Sequence, residues 1–215
     1  MVSGLMKPWK NCLAAILLAL LTLPVSVSAS AQGILIVGDS ISAAFGLELE
    51  RGWVSLLQAR LREQAVALPV VNASVSGDTT AGGLARLPRL LQEHQPELVI
   101  IELGGNDGLR GLAPDKMQQN LSAMVAAAQA SGAEVLLLGM RIPPNYGVRY
   151  TQAFEQVFRE LGDQPDVALV PFVLEGVAGV PQLMQADGIH PNAEGQPGIL
   201  ENAWPLISDW LETQP

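Results

Sequence analysis

The chain has 215 residues, 49% of them hydrophobic and only 15% charged, which is enough apolar material to bury a full core and a length that suits one domain rather than two. Its 21 acidic residues outweigh 12 basic ones for a formal charge of −9, so nucleic acid and strongly anionic membrane surfaces are excluded as natural electrostatic partners. It carries one cysteine, Cys12, too few for a disulfide framework.

Lys7 and Lys10 precede an apolar run from Cys12 to Leu23, and Ala29-Ser30-Ala31 offers a small-residue cleavage site. Residues 1–31 therefore read as a secretory signal peptide and 32–215 as the mature domain. The run is shorter than the ~20 residues of a spanning helix, and Pro24 interrupts its continuation, so no transmembrane segment is expected after processing. Cleavage after Ala31 removes both lysines and Cys12, taking the formal charge from −9 to −11. An exported protein without thiols, periplasmic or secreted, can be neither a cysteine protease nor a zinc ribbon.

Beyond residue 32, short apolar runs at 33–38, 67–74, 97–103, 133–139 and 167–172 predict five strands. Between them, helical spacing joins Trp53, Leu56, Leu57 and Leu61, then Leu84, Leu87, Leu90 and Leu91, then Leu121, Met124 and Val125, then Phe154, Val157, Phe158 and Leu161. A last helix carries Trp204, Ile207, Trp210 and Leu211. Strands that are apolar throughout and separated by helices predict a parallel sheet covered on both faces, a doubly wound α/β fold. Every strand-to-helix loop then opens on one edge, and ligands bind along that carboxyl edge.

Four such loops carry polar residues: "GDSIS" with Ser40, "SVSGDTT" with Gly77, "GGNDG" with Asn106, and "DGIHPN" with Asp187 and His190. Singly, each has a structural explanation. Ser40 can cap a helix, Gly77 can supply positive φ, Asn106 can form an Asx-turn, and Asp187 can initiate a tight turn. Together they supply what acyl transfer needs: a hydroxyl nucleophile, an imidazole base, a carboxylate to hold its tautomer, and oxyanion donors. The chain has two histidines, and His94 ends a helix before the third strand, at the amino edge. That leaves His190 as the imidazole able to face Ser40, with Asp187 three residues before it. The Ser40 and Gly77 N–H groups and the Asn106 side-chain amide are the expected oxyanion donors.

At these residues the sequence resembles the SGNH, or GDSL, hydrolase family: Ser40 in "GDSIS", Gly77 in "NASVSGD", Asn106 in "GGND", and Asp187 with His190 in "DGIHPN". The blocks appear in family order between 33 and about 195. Within the family, "GGNDGLRGL", "IPPNYG" and "DGIHPN" are similar to those of secreted bacterial multifunctional esterases, with thioesterase, protease, lysophospholipase and arylesterase activities. The resemblance implies a three-layer, flavodoxin-like α/β/α sandwich, Ser40 as nucleophile, His190 as base and Asp187 as its partner. It also implies an oxyanion hole from Ser40, Gly77 and Asn106, and cleavage of fatty acyl esters and thioesters without a cofactor. Leu109, Ile142 and Pro143 are the expected lining of an acyl groove, in a monomer acting on a small acyl ester or lysophospholipid.

Three other readings compete. A carbohydrate or small-molecule acetylesterase would use the same residues. A phosphohydrolase would gather Asp39, Asp78 and Asp107, also on carboxyl-edge loops, around Mg²⁺. A non-catalytic binding module would need a ligand signature, and neither a G-x-G-x-x-G nor a phosphate-loop motif is present; G-x-S-x-G is absent too.

Overall fold

β1 (Ile34–Gly38) is buried at all five positions, as a strand with helices on both faces requires. It pairs in parallel with β2 (Val70–Asn72) on one side and β3 (Leu98–Glu102) on the other. β4 (Glu134–Leu138) and β5 (Val167–Val170) complete a five-stranded parallel sheet of order β2-β1-β3-β4-β5. The structure, a computed structural model, describes residues 33–214 together with residues 1 and 4. The expected signal segment and Cys12 lie outside the described residues.

α1 (Trp53–Glu63) buries Trp53, Val54, Leu57 and Leu61, one stripe at helical spacing, and packs with α6 (Gln196–Thr213). α2 (Thr80–His94), α4 (Pro114–Ala130) and α5 (Val148–Gly162) pack side by side as the other helical layer. A single turn of helix, α3 (Gly105–Leu109), follows β3 directly and was not expected from the spacing of apolar residues. Its five residues are too few to show a period.

The expected second strand is shorter and wetter than its apolar run suggests. Pro69 has no N–H to give a ladder, and its carbonyl accepts from Ile34 N at 2.9 Å, so β2 begins only at Val70. With a neighbour on one side alone, β2 leaves Val70 and Val71 half-buried and Asn72 exposed.

The strand order reverses at β1: the chain leaves it for β2 on one side and returns to β3 on the other. The loops after β1 and β3 therefore diverge above their carboxyl ends and open a crevice. Ser40 follows β1 and Asn106 follows β3. Among the described residues no helix is long and apolar enough to cross a membrane.

Candidate active site

Past Gly38 the chain turns sharply. Residues 40–46 form successive turns rather than a regular helix, with Ala43 N donating to Asp39 O (3.0 Å) and Phe45 N to Ser40 O (3.1 Å). α1 starts only at Trp53, so Ser40 is not a helix cap. The turn is pinned from below. Asp39 Oδ1 accepts from Ile41 N (3.0 Å), and Glu102 Oε2, at the carboxyl end of β3, accepts from Asp39 N (3.2 Å), Ser42 N (3.2 Å) and Ser42 Oγ (2.8 Å). A Cβ on Gly38, which sits beside Glu102 in register, would lie 2.8 Å from Glu102 Oε2; glycine there lets the carboxyl reach across.

Asp187 and His190 arrive on one loop between β5 and α6. Asp187 Oδ1 accepts from Ile189 N (2.9 Å) and His190 N (3.0 Å), while Oδ2 takes the Nδ1–H of His190 at 2.7 Å. The backbone and ring hydrogen bonds from His190, joined by that of Ile189, hold the Asp187 carboxyl down at about 2. An ionised carboxylate only accepts, so the proton sits on Nδ1 and Nε2 is left bare. Ser40 Oγ–H then donates to Nε2, 2.8 Å away. The Phe45 ring lies 4.5 Å from the imidazole, and Gln185 Nε2 ties the two loops by donating to Phe45 O (2.7 Å) and Pro191 O (3.1 Å).

Beside Ser40 opens a cavity of about 520 Å³. Leu109, Met140, Ile142, Phe172, Leu174 and Met184 make its wall largely apolar, Pro143 and Pro144 edge it, and Asn106 and His190 face it. A larger groove, about 700 Å³, lies at the amino edge between α2 and α4, where the chemistry-bearing loops do not reach. The prolines of the 141–150 stretch lead into a 3-10 turn at Pro144–Tyr146. The two tyrosines anchor this stretch: Tyr146 Oη donates to Leu109 O (2.7 Å) and Tyr150 Oη to Leu112 O (2.6 Å).

Of the expected oxyanion donors, Ser40 and Asn106 line the cavity, whereas Gly77 sits outside that lining on an exposed turn. Its φ of +79° is what requires glycine; a Cβ there would meet nothing closer than Arg110 Nη2 at 3.9 Å. Its carbonyl accepts from Arg110 Nη2 (2.8 Å). Among the described residues, neither the Ser40 nor the Gly77 N–H donates to a protein acceptor. Asn106 Nδ2 donates one proton to Asp39 Oδ2 (2.9 Å), which fixes which end of the amide is nitrogen and leaves its second N–H free.

Asp39 is 2% exposed and Glu102 fully buried. Burial pushes Asp39 up to about 6 against the hydrogen bonds from Ile41 and Asn106, and it pushes Glu102 well above the carboxylate range, with the Asp39 charge adding to the effect. Burial raises both carboxyls, and a charge on Asp39 raises Glu102 further, so this dry pocket disfavours two charges at once. Glu102 Oε1 has no hydrogen-bond partner among the described residues.

The three carboxylates considered for Mg²⁺ are engaged separately. Asp39 holds Ile41 and Asn106, Asp78 pairs with Arg86 Nε (2.8 Å) and Thr79 N (2.9 Å), and Asp107 accepts from Thr80 N (2.9 Å) and Thr80 Oγ1 (2.6 Å). Among the described residues no group of three or more His, Cys, Asp or Glu side chains is gathered to hold a metal. These acids join loops by accepting N–H and O–H groups.

The profile of the GDSL-like Lipase/Acylhydrolase family matches residues 36–196. The chain belongs to this family. The GDSL-like chain is 58% identical over 201 residues to esterase TesA of Pseudomonas aeruginosa, covering 94% of itself and 96% of that protein. It is 45% identical over 187 residues to thioesterase 1/protease 1/lysophospholipase L1 of Escherichia coli K12, covering 87% and 85%. Among solved structures it superposes with a TM-score of 0.80 on the psychrotrophic esterase EstA of a Pseudoalteromonas species, inhibited by monoethylphosphonate, at 43% identity, 85% of this chain and 100% of that one. In this GDSL-like chain sequence reasoning missed Glu102, Met140 and Met184. A lone carboxylate ending an otherwise apolar strand was the available signal for Glu102; the methionines carried none, since a cavity wall and a core face show the same pattern.

Proposed function

We propose that this GDSL-like protein hydrolyses carboxylic esters and thioesters of fatty acyl groups through an acyl-enzyme on Ser40. The observation that carries the reading is the unbroken relay from Asp187 through His190 to Ser40, 2.7 and 2.8 Å, opening on an apolar cavity. The printed activities of the relatives, esterase and thioesterase 1/protease 1/lysophospholipase L1, support the same class.

Ser40 Oγ attacks the acyl carbon as its proton passes to His190 Nε2, and the Asp187 carboxylate offsets the imidazolium charge. The oxyanion takes hydrogen bonds from Ser40 N–H, Gly77 N–H and the free Nδ2–H of Asn106, each worth ~3 kcal/mol in the transition state. Collapse breaks the bond to the alcohol or thiol, which leaves with the proton from Nε2. Water then attacks the acyl-enzyme as its proton passes to Nε2, and collapse breaks the acyl bond to Ser40 Oγ, which regains that proton as the free acid leaves. No step calls for a cofactor. A largely apolar cavity of about 520 Å³ suits a medium acyl chain better than acetyl, with Leu109, Ile142 and Pro143 along it. The substrate is an acyl ester or lysophospholipid outside the cytoplasm, met by a monomer exported through residues 1–31.

The test is hydrolysis of p-nitrophenyl esters of graded length by the purified protein, followed by phosphonate labelling. Turnover that ceases as a phosphonyl group appears on Ser40 is the expected result. Full turnover by Ser40→Ala, or full turnover after stoichiometric phosphonylation of Ser40, would refute it.

A further inference from the structure

Met1 aside, the large hydrophobic side chains left exposed among the described residues are Phe45, Leu49, Val75, Leu112, Val148 and Ile189. All six lie in the connections that run from the carboxyl end of a strand to the first turn of the next long helix, α1, α2, α4, α5 or α6, and every strand contributes. Phe45 and Leu49 follow β1, Val75 follows β2, Leu112 follows β3, Val148 opens α5 after β4, and Ile189 follows β5. Among the described residues, Met1 aside, the opposite edge and the outer helix faces expose none. Apolar exposure scattered at random would not choose one edge of the sheet.

That edge is the cavity mouth. Ile189 lines the cavity, and the Phe45 ring packs at a tilt against that of His190. The Leu112 carbonyl accepts from Tyr150, while Tyr146 donates to the carbonyl of the cavity residue Leu109. Val148 follows shortly after the edge prolines 143 and 144. Val75 stands two residues before Gly77, whose carbonyl is held by Arg110, the neighbour of Leu109. Apolar side chains from the connections after all five strands thus stand on the edge of the sheet where the cavity opens, a distribution that a fluid amphiphile surface meets more readily than a rigid partner with a single complementary face.

We propose that these side chains form a docking rim that seats the mouth on the surface of a zwitterionic or uncharged amphiphile aggregate, so that an acyl chain enters the cavity without crossing water. The formal charge of −9 disfavours an anionic surface, which selects this class of occupant. The proposal rests on the acyl-ester reading of the site and adds where that substrate is collected.

Leu49, Val75 and Val148 are 65%, 51% and 69% exposed, and none of them lines the cavity. The mature chain, residues 32–215, carrying Leu49→Ser, Val75→Ser and Val148→Ser is compared with the same chain without them in two assays. Cosedimentation with phosphatidylcholine vesicles, both proteins also carrying Ser40→Ala, reads docking alone. The rim substitutions are expected to lower partitioning about tenfold or more, and phosphatidylglycerol vesicles to bind the parent less well. With Ser40 intact, hydrolysis of dissolved p-nitrophenyl acetate stays unchanged while turnover of micellar lysophosphatidylcholine falls. Absence of vesicle binding by the parent, or unchanged binding after all three substitutions, overturns the proposal. So does a lipid-free dimer that the substitutions disperse, because a second copy would then own the rim. Failure to cleave dissolved p-nitrophenyl esters of any acyl length with vesicle binding intact refutes the esterase reading and not the rim. Val148→Ser alone serves if the triple variant does not fold.

Discussion

Replacing Asp39 with asparagine changes one oxygen to an amide nitrogen at a position where both carboxylate oxygens are occupied. Oδ1 accepts from Ile41 N and Oδ2 from Asn106 Nδ2. The asparagine has one acceptor, so with its oxygen on Ile41 N its NH2 faces the NH2 of Asn106, donor against donor. Asn106 must turn its amide over, which removes its free N–H from the oxyanion site. Losing that donor costs ~3 kcal/mol of transition-state stabilisation, so kcat on p-nitrophenyl butyrate should fall roughly 100-fold or more with KM little changed. Stability should move the other way. Burial raises Asp39 from an ordinary 3.8 to about 6, so between those pH values the folded chain holds a proton that the unfolded chain has lost. Stability of the unsubstituted protein therefore drops as pH rises through that window, by about 3 kcal/mol at most. The asparagine cannot ionise, and urea unfolding from pH 4 to 8 should show that descent missing from the variant. Asn106→Ala added to Asp39→Asn should lower kcat little further, since both remove the same donor. Unchanged kcat together with an unchanged pH slope would refute the reasoning.

Asp187→Asn, which removes the charge that fixes the His190 tautomer, should lower kcat about 10³- to 10⁴-fold, measured by ester turnover at constant protein stability. Because Asp187 is depressed to about 2, the unsubstituted protein gains stability as pH rises from about 2 towards 4, and acid unfolding of this variant should lack that rise. Gly108→Ala would place a Cβ 2.5 Å from Ile142 Cγ2 and 2.7 Å from the Phe154 ring, so Tm in a calorimetric scan should fall by about 4 °C or more. Ile142→Phe, at a buried cavity wall, should shift the best p-nitrophenyl ester to a shorter acyl chain; an unchanged length profile would remove Ile142 from the groove.

Much of this architecture was legible because its signals are local. Five apolar runs alternating with stripes such as Trp53, Leu57 and Leu61 specify strands and helices without knowledge of any distant contact, and a buried parallel sheet follows from the absence of polar alternation. With His94 at the end of α2, on the amino edge, elimination pointed to His190, and its ring does meet Ser40. The run at 67–74 misled because composition does not report whether a strand has one neighbour or two, and β2 has one.

The amino-acid order by itself determined the fold class, the edge that carries the chemistry, and the Asp187–His190 pairing, all set by periodicity or by residues three apart in one turn. Only the tertiary structure decided that Glu102 is buried beneath the Ser40 turn, that Asp39 holds the Asn106 amide, and that Gly77 stands outside the cavity lining. Glu102 meets Ser42 across 60 positions, and Asn106 meets Asp39 across 67. Such contacts, and the low dielectric that gives them their force, exist only once β1 and β3 lie side by side, and no window of sequence contains both.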